Sequence, residues 1–221
     1  ITGMRRCGKS YLLFNLFSDH LKSCGIDDAH IVKVDLEDRR NKEFCDPDRL
    51  LEYIDSKLTD DDQYYVLLDE IQKVAEFEDV LNSYLKMKNV DVYVTGSNSK
   101  LLSKDVITEF RGRGHEIKIH PLSFREFMSV YQGGSREQAL MDYMTYGGLP
   151  QTVTLETAEE KEDYLKALFA STYLRDIKER YKIANDADLE ELVDVMASSI
   201  GGLVNPLKLQ NTFKTVKQSN L

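Results

Sequence analysis

The chain has no tryptophan and only three cysteines, Cys7, Cys24 and Cys45, in 221 residues. None forms a C-x-x-C pair, and an odd count builds no closed disulfide framework. Reduced thiols in a cytosolic compartment are therefore expected. No apolar run approaches the roughly 18 residues of a membrane-crossing helix, and no signal-peptide pattern is visible. A surplus of positive charge is missing too: 38 acidic residues against 29 Lys and Arg give a net charge of −9. Phosphate attraction needs positive charge, so generic nucleic-acid binding by the whole surface is excluded, while a local basic patch is not. What remains is ordinary globular composition, 42% hydrophobic and 30% charged, enough for a packed core in one large domain or one and a half.

The opening ITGMRRCGKS fits the phosphate-loop pattern G-x-x-x-x-G-K-[ST] through Gly3, Gly8, Lys9 and Ser10. Such a loop belongs between a strand and a helix, and the strand here reads as beginning before residue 1. The two glycines permit backbone angles other residues resist. The loop amides then cradle phosphate oxygens, and the following helix adds the positive end of its dipole. Lys9 can reach the β- and γ-phosphates and Ser10 can hold Mg²⁺. Met4, Arg5, Arg6, Cys7 and Tyr11 complete the candidate nucleotide-binding set; for Arg5, Arg6 and Cys7 packing or solvent contact is the competing role. SYLLFNLFSDHLK (10–22) carries Leu12, Leu13, Leu16, Phe17 and Leu21 at helical spacing, and Cys24-Gly25 supplies a stop.

Strand and helix patterns then alternate. HIVKVDLED (30–38) alternates apolar and polar residues. Residues 47–58 read as a helix, YYVLLDE (64–70) as a short buried strand, 73–87 as a helix, VDVYVTGS (90–97) as a strand, 98–109 as a helix and HEIKIHPL (115–122) as a strand. This order predicts an α/β fold: a mostly parallel sheet covered by helices on both faces. From residue 123 to 199 the pattern is helical only, broken at GGLP (147–150). The domain division expected is 1–124, 125–184 and 185–221.

A nucleotide site needs a carboxylate at the end of a buried strand, and Asp69 is placed to join Ser10 around Mg²⁺. Glu70 beside it can act as general base for an attacking water; the competing role for both is capping the next helix. At the end of the following strand Ser97 or Asn98, with Asn98 ahead, can sense the γ-phosphate, against ordinary turn and cap chemistry. The four histidines show no metal-ligand spacing.

Together, GMRRCGKS, VLLDEIQ, VTGSNSKLL, FRGRGHEIKIHPLSFREF and YGGLP resemble the bacterial and archaeal AAA-type P-loop ATPases that carry a C-terminal domain of unknown function. The resemblance runs from residue 1 to about 180 and continues more weakly. It implies a five-stranded parallel ATPase core, a helical lid and a partial winged-helix-like region. It also implies a Walker A loop over Gly3–Ser10, a Walker B pair Asp69-Glu70, a sensor at Asn98 and an arginine finger at Arg113, with Arg111 the second candidate. A finger of that kind stabilises charge on the transferring phosphoryl group, commonly across subunits, so it implies a homo-oligomer. Members of the family continue well past residue 221, which makes the chain readable as part of a longer protein. The expected activity is Mg²⁺-dependent ATP binding and hydrolysis. The alternative is a slow nucleotide-gated switch that presents its C-terminal region to DNA or a protein. A small-molecule kinase shares the loop but suits Asp69-Glu70 less well. Lys208, Lys214 and Lys217 near the end are weak support for DNA binding.

Overall fold

The structure, a computed structural model, describes residues 1–96, 110, 113–170, 177–178, 186–202, 205, 207 and 209–211. It divides into two compact units, Ile1–Leu155 and Glu156–Leu221. Within the described residues of the first unit, five strands are all paired in parallel: β1 (Thr2–Gly3), β2 (Ile31–Asp35), β3 (Tyr64–Asp69), β4 (Val90–Val94) and β5 (Lys118–Ile119). The pairing forms a three-stranded sheet β2-β3-β4 and a two-stranded sheet β1-β5. The backbone amine of Ile1 donates to the Val94 carbonyl at 2.6 Å, which brings β1 against β4. The expected five parallel strands are thus present, with one direct link in place of a full ladder between β1 and β4. The strand expected over 115–122 contracts to Lys118–Ile119, matching its two-residue partner.

β3 explains the layering. Side chains alternate across a strand, yet YYVLLD is apolar throughout because both faces are covered. Val66 and Leu68 face a cluster with Val32, Val34, Leu50, Ile54, Val80 and Tyr84. Leu67 faces the opposite way, into a cluster with Leu13, Leu21 and Ile31. The first layer is supplied by α2 (Pro47–Asp55) and α3 (Phe77–Tyr84). Asp46 caps α2 by accepting the amides of Asp48 and Arg49, with Pro47 in the first turn, where its missing N–H costs nothing. The second layer is α1, a continuous helix that runs Lys9–Tyr11, widens to π-helical winding over Leu12–Phe17 and closes as Ser18–Ser23. Gly25, at φ 90°, ends it, as expected from Cys24-Gly25.

After β5 the unit continues as helices α4 (Phe124–Val130), α5 (Arg136–Tyr146) and α6 (Pro150–Thr154). Ser123 and Glu126 form a reciprocal capping box on α4. The buried Phe127 ring lies 5.3 Å from both the Tyr131 and Tyr143 rings. This aromatic group is tied back to the sheet: the Tyr143 hydroxyl and the Leu122 amide donate respectively to Leu122 O at 2.9 Å and to Gly148 O at 2.6 Å. The second unit contains α7 (Ala158–Leu168), capped by Thr157 and Glu160, and α8 (Asp186–Ala197). Leu189 and Val195 of α8 are buried. The described residues after 122 contain no strand, as the pattern predicts. The helix expected over 98–109 and the lysines at 208, 214 and 217 lie outside the described residues.

The close approach at Gly148 gives a direct test. A Cβ there would sit 2.1 Å from the Leu122 carbonyl oxygen, so Gly148→Ala must push apart the link between sheet and helices. A loss of about 3 kcal/mol is expected for this overpacking, read as a lower urea midpoint with an unchanged slope.

Candidate functional site

The carboxyl ends of parallel strands share one edge of a sheet, and in open α/β folds that edge is where ligands bind. Here it gathers the residues after Gly3 on β1, Asp69 and Glu70 after β3, and Thr95 after β4.

The loop after β1 is shaped by three residues with positive φ: Gly3 at 151°, Arg6 at 65° and Gly8 at 98°. Gly3 is needed for space as well as angle. A Cβ there would stand 2.4 Å from the Ile119 carbonyl oxygen, so the glycine lets β1 pair closely with β5. Gly8 precedes α1 and offers no capping side chain, which leaves the first helical amides to face the loop. Lys9 is buried at 6% exposure and folds into the loop, its Nζ donating to Gly3 O at 3.2 Å and Met4 O at 3.1 Å. An ammonium held inside a ring of backbone groups is a fixed positive charge at the strand edge.

The other loop residues divide by exposure. Met4, Arg6, Ser10 and Tyr11 are exposed and Arg5 is half-buried. Cys7 turns inward: it is buried, with its Sγ directed at the Ile119 carbonyl at 3.7 Å. Burial raises its thiol pKa, which makes it a packing group and a poor nucleophile. Pro150, the first residue of α6, stands over this loop, its Cγ 3.9 Å from where a Gly8 Cβ would be.

The acidic pair sits on the neighbouring strands. Asp69 is buried at 3% exposure, and its Oδ1 accepts from the Thr95 hydroxyl. The same Thr95 oxygen accepts the Glu70 amide at 3.1 Å. Thr95 N donates to Leu68 O at 2.9 Å and Ile71 N to Thr95 O at 3.0 Å. One fully buried threonine thus ties the end of β4 to both acids of β3. Glu70 itself lies in the left-handed region, φ 56° and ψ 46°, a conformation that costs a non-glycine residue free energy and persists where surroundings enforce it. Its Oε2 accepts from the Gln72 side-chain amide.

Lys9, Ser10, Asp69 and Glu70 are therefore carried by elements that end on one edge. Arg113 is elsewhere. It is exposed in a turn, its amide donating to Phe110 O at 2.9 Å. It lines a surface cavity of about 410 Å³ with Asn82, Leu85 and Lys86, at the carboxyl end of α3. Ser97, Asn98 and Arg111 lie outside the described residues. Thr95, Gln72 and Pro150 had drawn no role from sequence reasoning. Thr95 was legible as the first polar residue after VDVYV; the other two become visible only through their contacts. The histidines, unremarkable in spacing, include one that folding brings to acids: His30 Nε2 is 3.3 Å from the Asp60 carboxylate and 3.9 Å from Asp62. The backbone amide of Asp62 and then the His30 ring hold the Asp60 carboxyl below its usual range. This group precedes β2 and β3 and so occupies the opposite edge.

Two curated proteins resemble the chain over nearly its whole length. The chain is 34% identical over 218 residues to an uncharacterized protein of Haemophilus influenzae, covering 96% of this chain and 54% of that one. It is 28% identical over 225 residues to an uncharacterized protein of Methanocaldococcus jannaschii, covering 97% of this chain and 49% of that one. The chain thus spans about half the length of the curated relatives it matches. Among solved structures, the Aeropyrum pernix ORC1 protein in complex with DNA aligns over 99% of this chain and 71% of that one, at 13% identity and a TM-score of 0.40. Residues 137–220 match the model of a domain of unknown function, DUF8612. Residues 1–128, more than half of the chain, with the glycine loop, Lys9, Asp69, Glu70 and Thr95, match the model of the AAA domain, and the chain belongs to that family.

Proposed function

We propose that this chain is the nucleotide-binding and hydrolysing part of an AAA-type ATPase, using ATP with Mg²⁺. Two observations support the reading: a glycine loop after β1 folded round a buried lysine, and a buried carboxylate at the end of β3 beside a second acid. The donor set fits both partners. The glycine loop and the uncapped start of α1 offer amides for phosphate oxygens. The exposed Ser10 hydroxyl and the Asp69 carboxylate are hard oxygen ligands of the type Mg²⁺ takes, commonly keeping several waters and the substrate's phosphates. Bound there, the ion would neutralise charge on the phosphates.

In this reading each side chain has one task. Lys9 leaves the carbonyls of Gly3 and Met4 for the phosphates, where its charge counterbalances theirs. Asp69 offers the ion a carboxylate oxygen and is oriented by Thr95. Glu70 accepts the proton of the attacking water. Pro150 stands beside the loop within the first unit, and the helices expected over 125–184 are read as a lid that begins there. Residues 185–221 are read as the start of a winged-helix-like region, a surface for DNA or a protein partner. Arg113, remote from its own chain's strand edge, is suited to reach the nucleotide of a second copy.

Glu70→Gln should keep ATP affinity within about threefold and lower turnover by about 10²- to 10⁴-fold, the range of a positioned general base; phosphate release and a fluorescent-nucleotide titration measure the two. Wild-type turnover in that variant would remove Glu70 from the mechanism. Lys9→Ala should weaken ATP binding by about 10- to 100-fold, the loss of charge-assisted hydrogen bonds of about 1.5–3 kcal/mol. Activity per molecule should rise with protein concentration. Arg113→Ala should abolish that rise and cost about 10³-fold at saturation; concentration-independent activity would rule out action between subunits.

A further inference from the structure

Glu70 and Gln72 are two residues apart, a spacing that ordinarily points side chains away from each other on a helix. Here the backbone brings them together. Glu70 takes a left-handed turn at φ 56°, and Ile71–Lys73 follow as one turn of 3₁₀ helix. That turn is held at every point. The Glu70 amide donates to the Thr95 hydroxyl and the Ile71 amide to the Thr95 carbonyl. The Lys73 amide donates to Glu70 O, and the Val74 amide to Ile71 O, each at 3.0 Å. The Ile71 side chain is fully buried among Val66, Leu68 and Val80, and Val74 joins the same cluster. Gln72 is thus a half-buried side chain on a pinned turn, and its Nε2 donates to Glu70 Oε2.

We propose that Gln72 is the positioning residue for the general base: its amide fixes one oxygen of the Glu70 carboxylate so that the other, Oε1, meets the attacking water. The inference rests on the reading of Glu70 given above. In the step itself the water oxygen bonds to the γ-phosphorus. The bond from that phosphorus to the β–γ bridging oxygen breaks, ADP keeps the electron pair, and the water proton passes to Glu70 Oε1. Gln72 exchanges no proton. A glutamate has three side-chain torsions and a large rotamer entropy, so an unanchored carboxylate spends most of its time out of line. Displacement of a catalytic group by about 1 Å can cost about 10²-fold in rate. The left-handed strain at Glu70 has the same explanation, because without that turn Gln72 would not face its partner.

The test uses Gln72→Met and Gln72→Glu in the full chain. Met keeps length and bulk but donates nothing; Glu keeps the shape and sets a second carboxyl against Glu70. Steady-state phosphate release and fluorescent-ATP titration are measured for both, beside Glu70→Gln and wild type. The expected result is a turnover 10- to 100-fold lower in both variants, the scale of such a displacement, with ATP affinity within about twofold of wild type. Turnover near the wild-type rate in Gln72→Met overturns the proposal, since that side chain cannot donate. Loss of ATP binding also overturns it, by making Gln72 a structural support of the site. The Glu70→Gln control separates the two levels. If it is inactive while Gln72→Met is normal, only the positioning role fails. If it is fully active, the general-base reading fails and takes the positioning role with it.

Discussion

Strand β3 is the constraint on which the site depends. It pairs in parallel with β2 on one side and β4 on the other, in registers that set Asp35 beside Asp69 and Val94 beside Leu68. Its side chains are packed from both faces, Val66 and Leu68 against one helical layer and Leu67 against α1. A one-residue slip would exchange those faces, so the end of the strand cannot move. Asp69 is therefore delivered to a defined point, and the Thr95 hydroxyl then fixes its carboxylate and the amide of the next residue together.

The phosphate loop is built on a different logic. Its opening strand is only two residues long in the ladder with β5, and its shape comes from positive backbone angles at Gly3, Arg6 and Gly8. Lys9 occupies the centre of that loop, bonded to carbonyls it would leave for phosphates. Burying an ammonium carries a desolvation cost, and these two carbonyls offset part of it.

How the chain reads as a whole follows from these two parts. The AAA domain supplies the loop, the sheet and the acids within residues 1–128. Within the first unit, α4, α5 and α6 are joined to it through the Tyr143, Leu122 and Gly148 hydrogen bonds, and α6 carries Pro150 to Gly8. The GGLP break in the helical pattern thus has a physical reason. Gly148 has no space for a Cβ beside Leu122 O, and Pro150 begins α6 next to Gly8.

Much of this was written in the order of the residues. The glycine spacing with Lys9 and Ser10, the apolar run ending in Asp69-Glu70 and the alternation of strand and helix patterns are local properties, and local chemistry is what a sequence displays. Strand ends were less legible: the element over 115–122 shrinks to Lys118–Ile119 because a strand is as long as its partner. Contacts between residues that spacing does not relate were not legible at all. Packing stood beside ligand contact as a role for Cys7, and its thiol is directed at the Ile119 carbonyl. Thr95 joins acids 26 and 25 residues away. Gln72 meets Glu70 only because a left-handed turn folds it back. The sequence by itself determined the fold class, the loop and the identity of the acids. Tertiary structure alone decided which groups hold those acids in place, because positioning is set by hydrogen bonds across strands and turns, and those form only once the sheet has closed.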